Sequence, residues 1–161
     1  MTASPDKTVK AAVGLSGGVD SAAAALLLRE RGYEVAGVTM TLGRDDESES
    51  LSAAQTVAEQ LGISLHVFDL AREWKKEVLD YLRGEYLAGR TPNPCVRCNE
   101  RIKFGLLPRL AFDRLGCDVF ATGHYARIVA GADGVPALRG RENNSDPWSG
   151  PPPGRFSLSE T

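Results

Sequence analysis

Thr8 to Ser21 reads TVKAAVGLSGGVDS, and this stretch decides the fold. Its first half is a short, mostly apolar run, which suits a strand buried on both faces of a parallel sheet. Two adjacent glycines follow, and then Ala22 to Arg31 (AAAALLLRER), stopped by Gly32, has the composition of a helix. Strand, glycine-rich turn and helix in that order make an anion site. Gly17 and Gly18 allow backbone angles closed to other residues and let a ligand come close to the main chain. The free N–H groups at the positive end of the helix dipole face such an anion, and Ser16 and Ser21 add hydroxyl donors. Asp20 is a poor direct partner for phosphate and suits Mg²⁺ or a capping role instead. No Gly-Lys-Ser/Thr follows, so the loop is not of the Walker type, and it does not fit the Gly-x-Gly-x-x-Gly dinucleotide fingerprint. The plainer reading is a tight turn built of small residues. Paired glycines, flanking hydroxyls and an acid at the helix start together outweigh it.

Outward from the loop, apolar strands alternate with helical faces. Glu34 to Met40 (EVAGVTM) and Ser64 to Leu70 (SLHVFDL) read as strands, and Asp118 to Ala121 as a fourth. Ser52 to Leu61 puts Ala54, Val57, Ala58 and Leu61 on one helical face before Gly62, and Glu73 to Leu87 forms a longer helix before Gly89. A further helix is expected from Leu106 to Leu115, stopped by Gly116. This rhythm predicts an α/β fold, a parallel sheet with helices on both faces. Arg127 to Leu138 reads as two short strands around Gly131-Ala132-Asp133-Gly134, a C-terminal β-hairpin. Arg141 to Thr161, rich in Pro and Gly without periodicity, is expected to be a disordered tail after a domain of residues 1–140.

Composition bounds the class of protein. The 161 residues fit one domain, and 42% hydrophobic with 25% charged residues fits a globular chain with a core. A net charge of -2 does not advertise nucleic-acid binding, although a local basic patch remains compatible with it. No apolar run approaches the roughly 20 residues that span a bilayer, and the first residues lack a signal-peptide stretch. A cytoplasmic location without membrane contact is the default expectation, with the three cysteines as reduced thiols.

Two of those thiols lie in Gly89-Arg90-Thr91-Pro92-Asn93-Pro94-Cys95-Val96-Arg97-Cys98-Asn99-Glu100-Arg101-Ile102-Lys103-Phe104-Gly105. Pro92 and Pro94 suggest an extended approach, after which the thiols precede a helix. There the dipole with Arg97, Arg101 and Lys103 would favour a thiolate. Structural zinc needs four ligands, and Cys117, His66 and His124 have no matching spacing. A thioredoxin-like couple fits the spacing alone. An iron–sulfur cluster on Cys95 and Cys98 needs at least one more ligand. A sulfur-transfer nucleophile is the fourth reading, and the one that best suits a neighbouring phosphate-binding loop. His66 and Cys117 read as structural, and His124 as packing or positioning at least as much as proton transfer.

The loop GLSGGVDS resembles the ATP-pyrophosphatase (PP-loop) superfamily, which attacks the α-phosphate of ATP, forms an adenylate and releases pyrophosphate. Together with GRTPNPCVRCNERIKFG and Ala121-Thr122-Gly123-His124-Tyr125-Ala126, it resembles the tRNA-specific 2-thiouridylase family over residues 8 to 140. The resemblance implies a Rossmann-like, adenine-nucleotide α-hydrolase-like fold and an ATP-dependent sulfurtransferase. Such an enzyme acts on the wobble uridine of tRNA with Mg²⁺ and a persulfide sulfur donor protein. Carried over residue by residue, it implies ATP binding by Gly14, Leu15, Ser16, Gly17, Gly18, Val19, Asp20, Ser21, Met40 and Gly123. It implies target-base contacts from Asn93, Pro94 and Cys95, and catalysis by Cys98 with Cys95 and Asp20. Many members have Asp where this chain has Cys95, and the double-cysteine form accompanies an iron–sulfur cluster in some lineages.

The likeness ends near Leu138-Arg139-Gly140. The family's second, sulfur-carrying cysteine and its tRNA-gripping domains have no counterpart in this sequence. The expectation is therefore the N-terminal catalytic part of such an enzyme, either truncated or partnered by a separately encoded C-terminal half. The competing expectations are an ATP-binding remnant or regulatory domain without thiolation, and another enzyme of the superfamily acting on a small molecule.

Overall fold

The computed structural model describes residues 8–130 and 136–140, with side chains described for residues 8–125. The chain divides into two units, Met1–His124 and Tyr125–Thr161. The first holds a sheet of four parallel strands, β1 (Lys10–Gly14), β2 (Glu34–Thr41), β3 (Leu65–Asp69) and β4 (Val119–Thr122), in the order β3-β2-β1-β4. β1 is central, with Gly14 beside Val38 on one side and Thr122 on the other. In the second unit, β5 (Ala126–Ala130) and β6 (Pro136–Gly140) pair antiparallel. The expected turn Gly131–Gly134 and the expected tail Arg141–Thr161 lie outside the described residues.

Alternation along β1 divides the core between the sheet's faces. Ala11, Val13 and Leu15 pack against Ala25 of α1 (Val19–Glu30) and Ala54 and Ala58 of α2 (Glu47–Leu61). Ala12 packs with Val38 on the other face, against a helix that carries Leu107 and Ala111. The helices cover both faces, as the alternation of apolar runs predicts.

Two helical arms complete the unit, each with a π-helical stretch. The first runs α3 (Ala71–Trp74), a π stretch Lys75–Leu79 and α4 (Asp80–Leu87). The second runs α5 (Pro94–Cys98), a π stretch Asn99–Leu106 and α6 (Leu107–Leu115). Leu70, Val78 and Ile102 form a third buried cluster where the arms meet.

Three helix starts lie three residues or more ahead of the sequence reading, two of them through a side-chain hydrogen bond. α1 begins at Val19 rather than Ala22, with Gly18 extended at φ -85° and ψ 159° as its cap. α2 begins at Glu47 rather than Ser52, because the Glu47 carboxylate accepts from the Leu42 and Gly43 amides at 2.6 and 3.1 Å. The helix expected at Leu106 continues one that starts at Pro94. The Asn93 side chain accepts from the Cys95 and Val96 amides at 3.0 and 3.2 Å, and proline suits the first helical position. The extended approach therefore ends at Asn93, and both cysteines lie within the helix rather than ahead of it.

Ile102 is fully buried, whereas Leu87 is 80% exposed. Ile102→Ala should cost about 3 kcal/mol through the cavity it leaves, and Leu87→Ala within about 0.5 kcal/mol of nothing. Urea denaturation checks this as a lower midpoint for the first variant with an unchanged slope.

Candidate active site

The order β3-β2-β1-β4 reverses direction at β1, so a crevice opens between the carboxyl ends of β1 and β4. In open parallel sheets, ligands bind at such a switch point. The loop Leu15–Gly18 leaves β1 there. Gly17 has φ 82°, and a Cβ on it would stand 2.5 Å from the Ala53 Cβ of α2, so the loop packs directly on that helix. Ser21 is buried at 3% exposure, and its hydroxyl donates to the Gly18 carbonyl at 2.9 Å. The Ser16 amide donates to the Ser21 hydroxyl at 3.3 Å, and the two serine hydroxyls are also 3.3 Å apart. Ser21 thus holds the loop closed from inside. Ser16, Gly18, Val19 and Asp20 lie exposed around it, with Asp20 in the first turn of α1.

Gly123, just after β4, forms the other wall. A Cβ here would lie 2.5 Å from the Ser21 nitrogen and 2.6 Å from the Asp20 carbonyl carbon. Only a residue without a side chain lets the end of β4 lie against the start of α1. His124 follows. Its Nδ1 is 2.8 Å from the Thr122 hydroxyl, and its ring centroid is 5.1 Å from that of Phe104.

Met40 stands near the end of β2 and packs, half-buried, on the cluster of Leu70, Val78 and Ile102. Cys98 packs on the same cluster beside Trp74. The structure thus brings Met40 and Cys98 together on one cluster. Cys95 is exposed one helical turn earlier, with Asn93 exposed and Pro94 half-buried.

The electrostatics of Cys98 correct the sequence reading. Burial pushes the Cys98 thiol up, opposed first by the Lys103 ammonium, then by hydrogen bonding from Trp74 and a weaker pull from Arg44. Arg97 and Arg101 are turned to carboxylates instead. Arg97 donates to the Glu77 carbonyl at 3.2 Å, pairs with Glu77 at 3.4 Å and Glu100 at 3.6 Å, and lies 4.9 Å over the Tyr81 ring. Arg101 meets Glu100 at 3.4 Å. Arg97 anchors one arm on the other; of the three expected cations, Lys103 is the one that favours the thiolate. Glu47, Trp74 and Arg44 also shape the site, and the sequence assigned them nothing. An acid at a helix start just after Gly43 is the one signal that could have found Glu47.

Cys117 packs half-buried with Ala12, Val38, Leu107 and Ala111. It precedes Asp118, whose carboxylate accepts from the Lys10 amide at 2.9 Å, at the amino end of the sheet and away from the loop. His66 is half-buried on β3, an edge strand. Among the described residues, no three His, Cys, Asp or Glu side chains gather in a group that could hold a metal ion. Cys95 and Cys98 therefore lack, among those residues, the further ligand a cluster requires. No helix of the described residues is long and apolar enough to cross a membrane.

Comparison with known proteins agrees with this geometry. A family model described as "tRNA methyl transferase HUP domain" matches residues 9–147. Proteins named tRNA-specific 2-thiouridylase MnmA are similar in sequence. The one from Acidithiobacillus ferrooxidans is 44% identical over 140 residues, covering 85% of this chain and 40% of its own. That from Clostridium acetobutylicum is 50% identical over 131 residues, covering 74% and 37%. The chain thus spans about two fifths of the length of these curated relatives. Among solved structures, a predicted subunit of tRNA methyltransferase from Methanocaldococcus jannaschii shares the fold, with a TM-score of 0.53 and 24% identity over 73% of this chain and 53% of that one. A glutamine-dependent NAD+ synthetase from Acinetobacter baumannii does so at a TM-score of 0.51 and 21% identity, over 70% of this chain and 21% of that one. With the matched region running from β1 through the phosphate loop and the cysteine helix to β6 and beyond, the chain belongs to the tRNA methyl transferase HUP domain family.

Proposed function

We propose that the chain is the nucleotide-binding and thiol-bearing part of an ATP-dependent tRNA 2-thiouridylase working in the cytoplasm. The observation that carries this reading is the convergence of the glycine-rich loop, Met40 and Cys98 at the carboxyl end of the sheet. Relatives at 44% and 50% identity named tRNA-specific 2-thiouridylase support tRNA as the acceptor.

In this reading, the exposed turn from Ser16 to Asp20, between Gly14 and Leu15 on one side and the buried Ser21 that closes it on the other, holds the phosphates of ATP, with Met40 and Gly123 beside the nucleotide. Asp20, exposed in the first turn of α1, suits the single carboxylate that Mg²⁺ takes when substrate phosphates supply further oxygens. The O2 of the wobble uridine attacks the α-phosphorus, forming the O2-adenylate, and pyrophosphate leaves. The outer sulfur of a persulfide on the donor protein then attacks C2, and AMP departs with the original oxygen. The Cys98 thiolate attacks the donor's own sulfur, breaking its S–S bond to free 2-thiouridine and leaving a Cys98–donor disulfide for a thiol reductant to open. Asn93, Pro94 and Cys95 line the target base, and Cys98 is the thiol that handles sulfur, with Cys95 as its nearest thiol in sequence. A C-terminal half encoded elsewhere in the protein or the genome would grip the tRNA.

The reading is tested with the chain, a C-terminal half supplied from a relative, ATP, Mg²⁺, a persulfide donor and unmodified tRNA, by measuring pyrophosphate release and 2-thiouridine. Both products are expected, and ATP binding with neither product would leave a nucleotide-binding domain without thiolation. Gly17→Ala, which forces a Cβ into Ala53 at a positive φ, should weaken ATP binding about tenfold or more in calorimetry. Cys98→Ser should leave ATP binding intact and abolish 2-thiouridine. The raised thiol of Cys98 gives a further expectation. Its alkylation rate should rise with pH through an inflection above that of an ordinary thiol, near about 8.5. Lys103→Met removes the charge that favours the thiolate, so the inflection should move higher still.

A further inference from the structure

Phe104 lies halfway along the π stretch Asn99–Leu106, on the helix that carries Cys98. Its ring meets His124 at 5.1 Å between centroids, tilted by 59°. His124 is held in turn by Thr122 at 2.8 Å. The residue between them, Gly123, lies against the backbone of Asp20 and Ser21, in the first turn of α1 directly after the phosphate loop. An unbroken run of contacts thus joins the loop to the cysteine helix. It enters that helix within its π-helical segment, a departure from regular α-helix of the kind that recurs at functional sites. Ile102 is fully buried and Leu107 nearly so, which fixes the surroundings of the stretch. Phe104, half-buried and pointing to the nucleotide side, is placed to respond.

We propose that Phe104 is a positioning residue that ties the phosphate loop to the cysteine helix through His124 and Gly123, so that an occupied loop restrains Cys98. This rests on the loop's being the nucleotide site. A nucleotide that steadies Asp20 and Ser21 steadies Gly123 and His124, and the ring contact passes that order to the π stretch. The thiol is then held in its pocket beside Trp74 instead of opening to solution.

The test reads alkylation of Cys98 by iodoacetamide in the whole chain, followed by peptide mass, with Cys117 at the other end of the sheet as internal reference. ATP with Mg²⁺ should slow Cys98 alkylation about fivefold or more in the unaltered protein. In Phe104→Ala, that protection should fall to less than half, with ATP affinity by calorimetry and the Cys117 rate unchanged. Phe104→Tyr, which keeps the ring, should restore it, a rescue that simple destabilisation would not produce. If Phe104→Ala melts early, Phe104→Leu keeps the bulk without the ring and replaces it. Equal protection in the unaltered and ring-deleted proteins overturns the proposal. Absence of ATP binding in calorimetry would instead sink the nucleotide reading. The contact run is then decided by Thr122→Val, which releases His124. Its effect on the Cys98 rate should vanish in the Phe104→Ala background, and the same effect in both backgrounds overturns the link.

Discussion

The end of β4 and the start of α1 touch backbone to backbone at Gly123, where a Cβ would stand 2.5 Å from the Ser21 nitrogen. Much of the site depends on that approach. It sets the width of the crevice at the switch point, because the loop Leu15–Gly18 is already held from the other side by Ala53 and from within by the Ser21 hydroxyl. It also fixes where the chain can go next, delivering His124 to the Thr122 hydroxyl and to Phe104. A side chain at position 123 would have to move either a central-sheet neighbour or the first turn of a helix, and neither is cheap in a close-packed interior.

The sheet was legible because its strands are apolar runs cut by glycines. β1, β2, β3 and β4 fall within a residue or two of where the sequence puts them. The phosphate loop was legible for a related reason, since Gly17 must occupy φ 82° and few other residues do so readily. Helix starts were less legible, because periodicity marks the buried face of a helix rather than its cap. α2 begins five residues before its apolar face, since Glu47 is recruited to satisfy two loop amides. Pro94 looked like part of an extended approach but begins a helix, and the deciding atom is the Asn93 side-chain oxygen.

The electrostatics of the cysteines were the least legible part. Arg97 is adjacent to Cys98 in sequence, yet its guanidinium is committed to Glu77, twenty positions away, and to the Tyr81 ring. Neighbouring residues on a helix point about 100° apart, so proximity in sequence says little about which charge a thiol meets. Lys103 lies on the same arm as Cys98, but Trp74 reaches Cys98 only because the two arms pack together around Val78 and Ile102. That packing is tertiary information, and the same burial that draws the groups together raises the thiol.

The π stretch in the second arm bears on chain length. Ile102 and Leu107 are both buried, yet five residues of regular α-helix would turn them about 140° apart. The wider π turn carries Ile102 to the cluster of Leu70 and Val78 and Leu107 to that of Ala12 and Val38, accommodating one residue more than an α-helix would between the same two anchors. A chain shorter by one residue between them would close the wide turn, and Lys103 and Phe104 would swing off the thiol and the His124 ring. In an alignment of related chains, the length of this segment would distinguish domains that keep the site's geometry from those that keep only the fold.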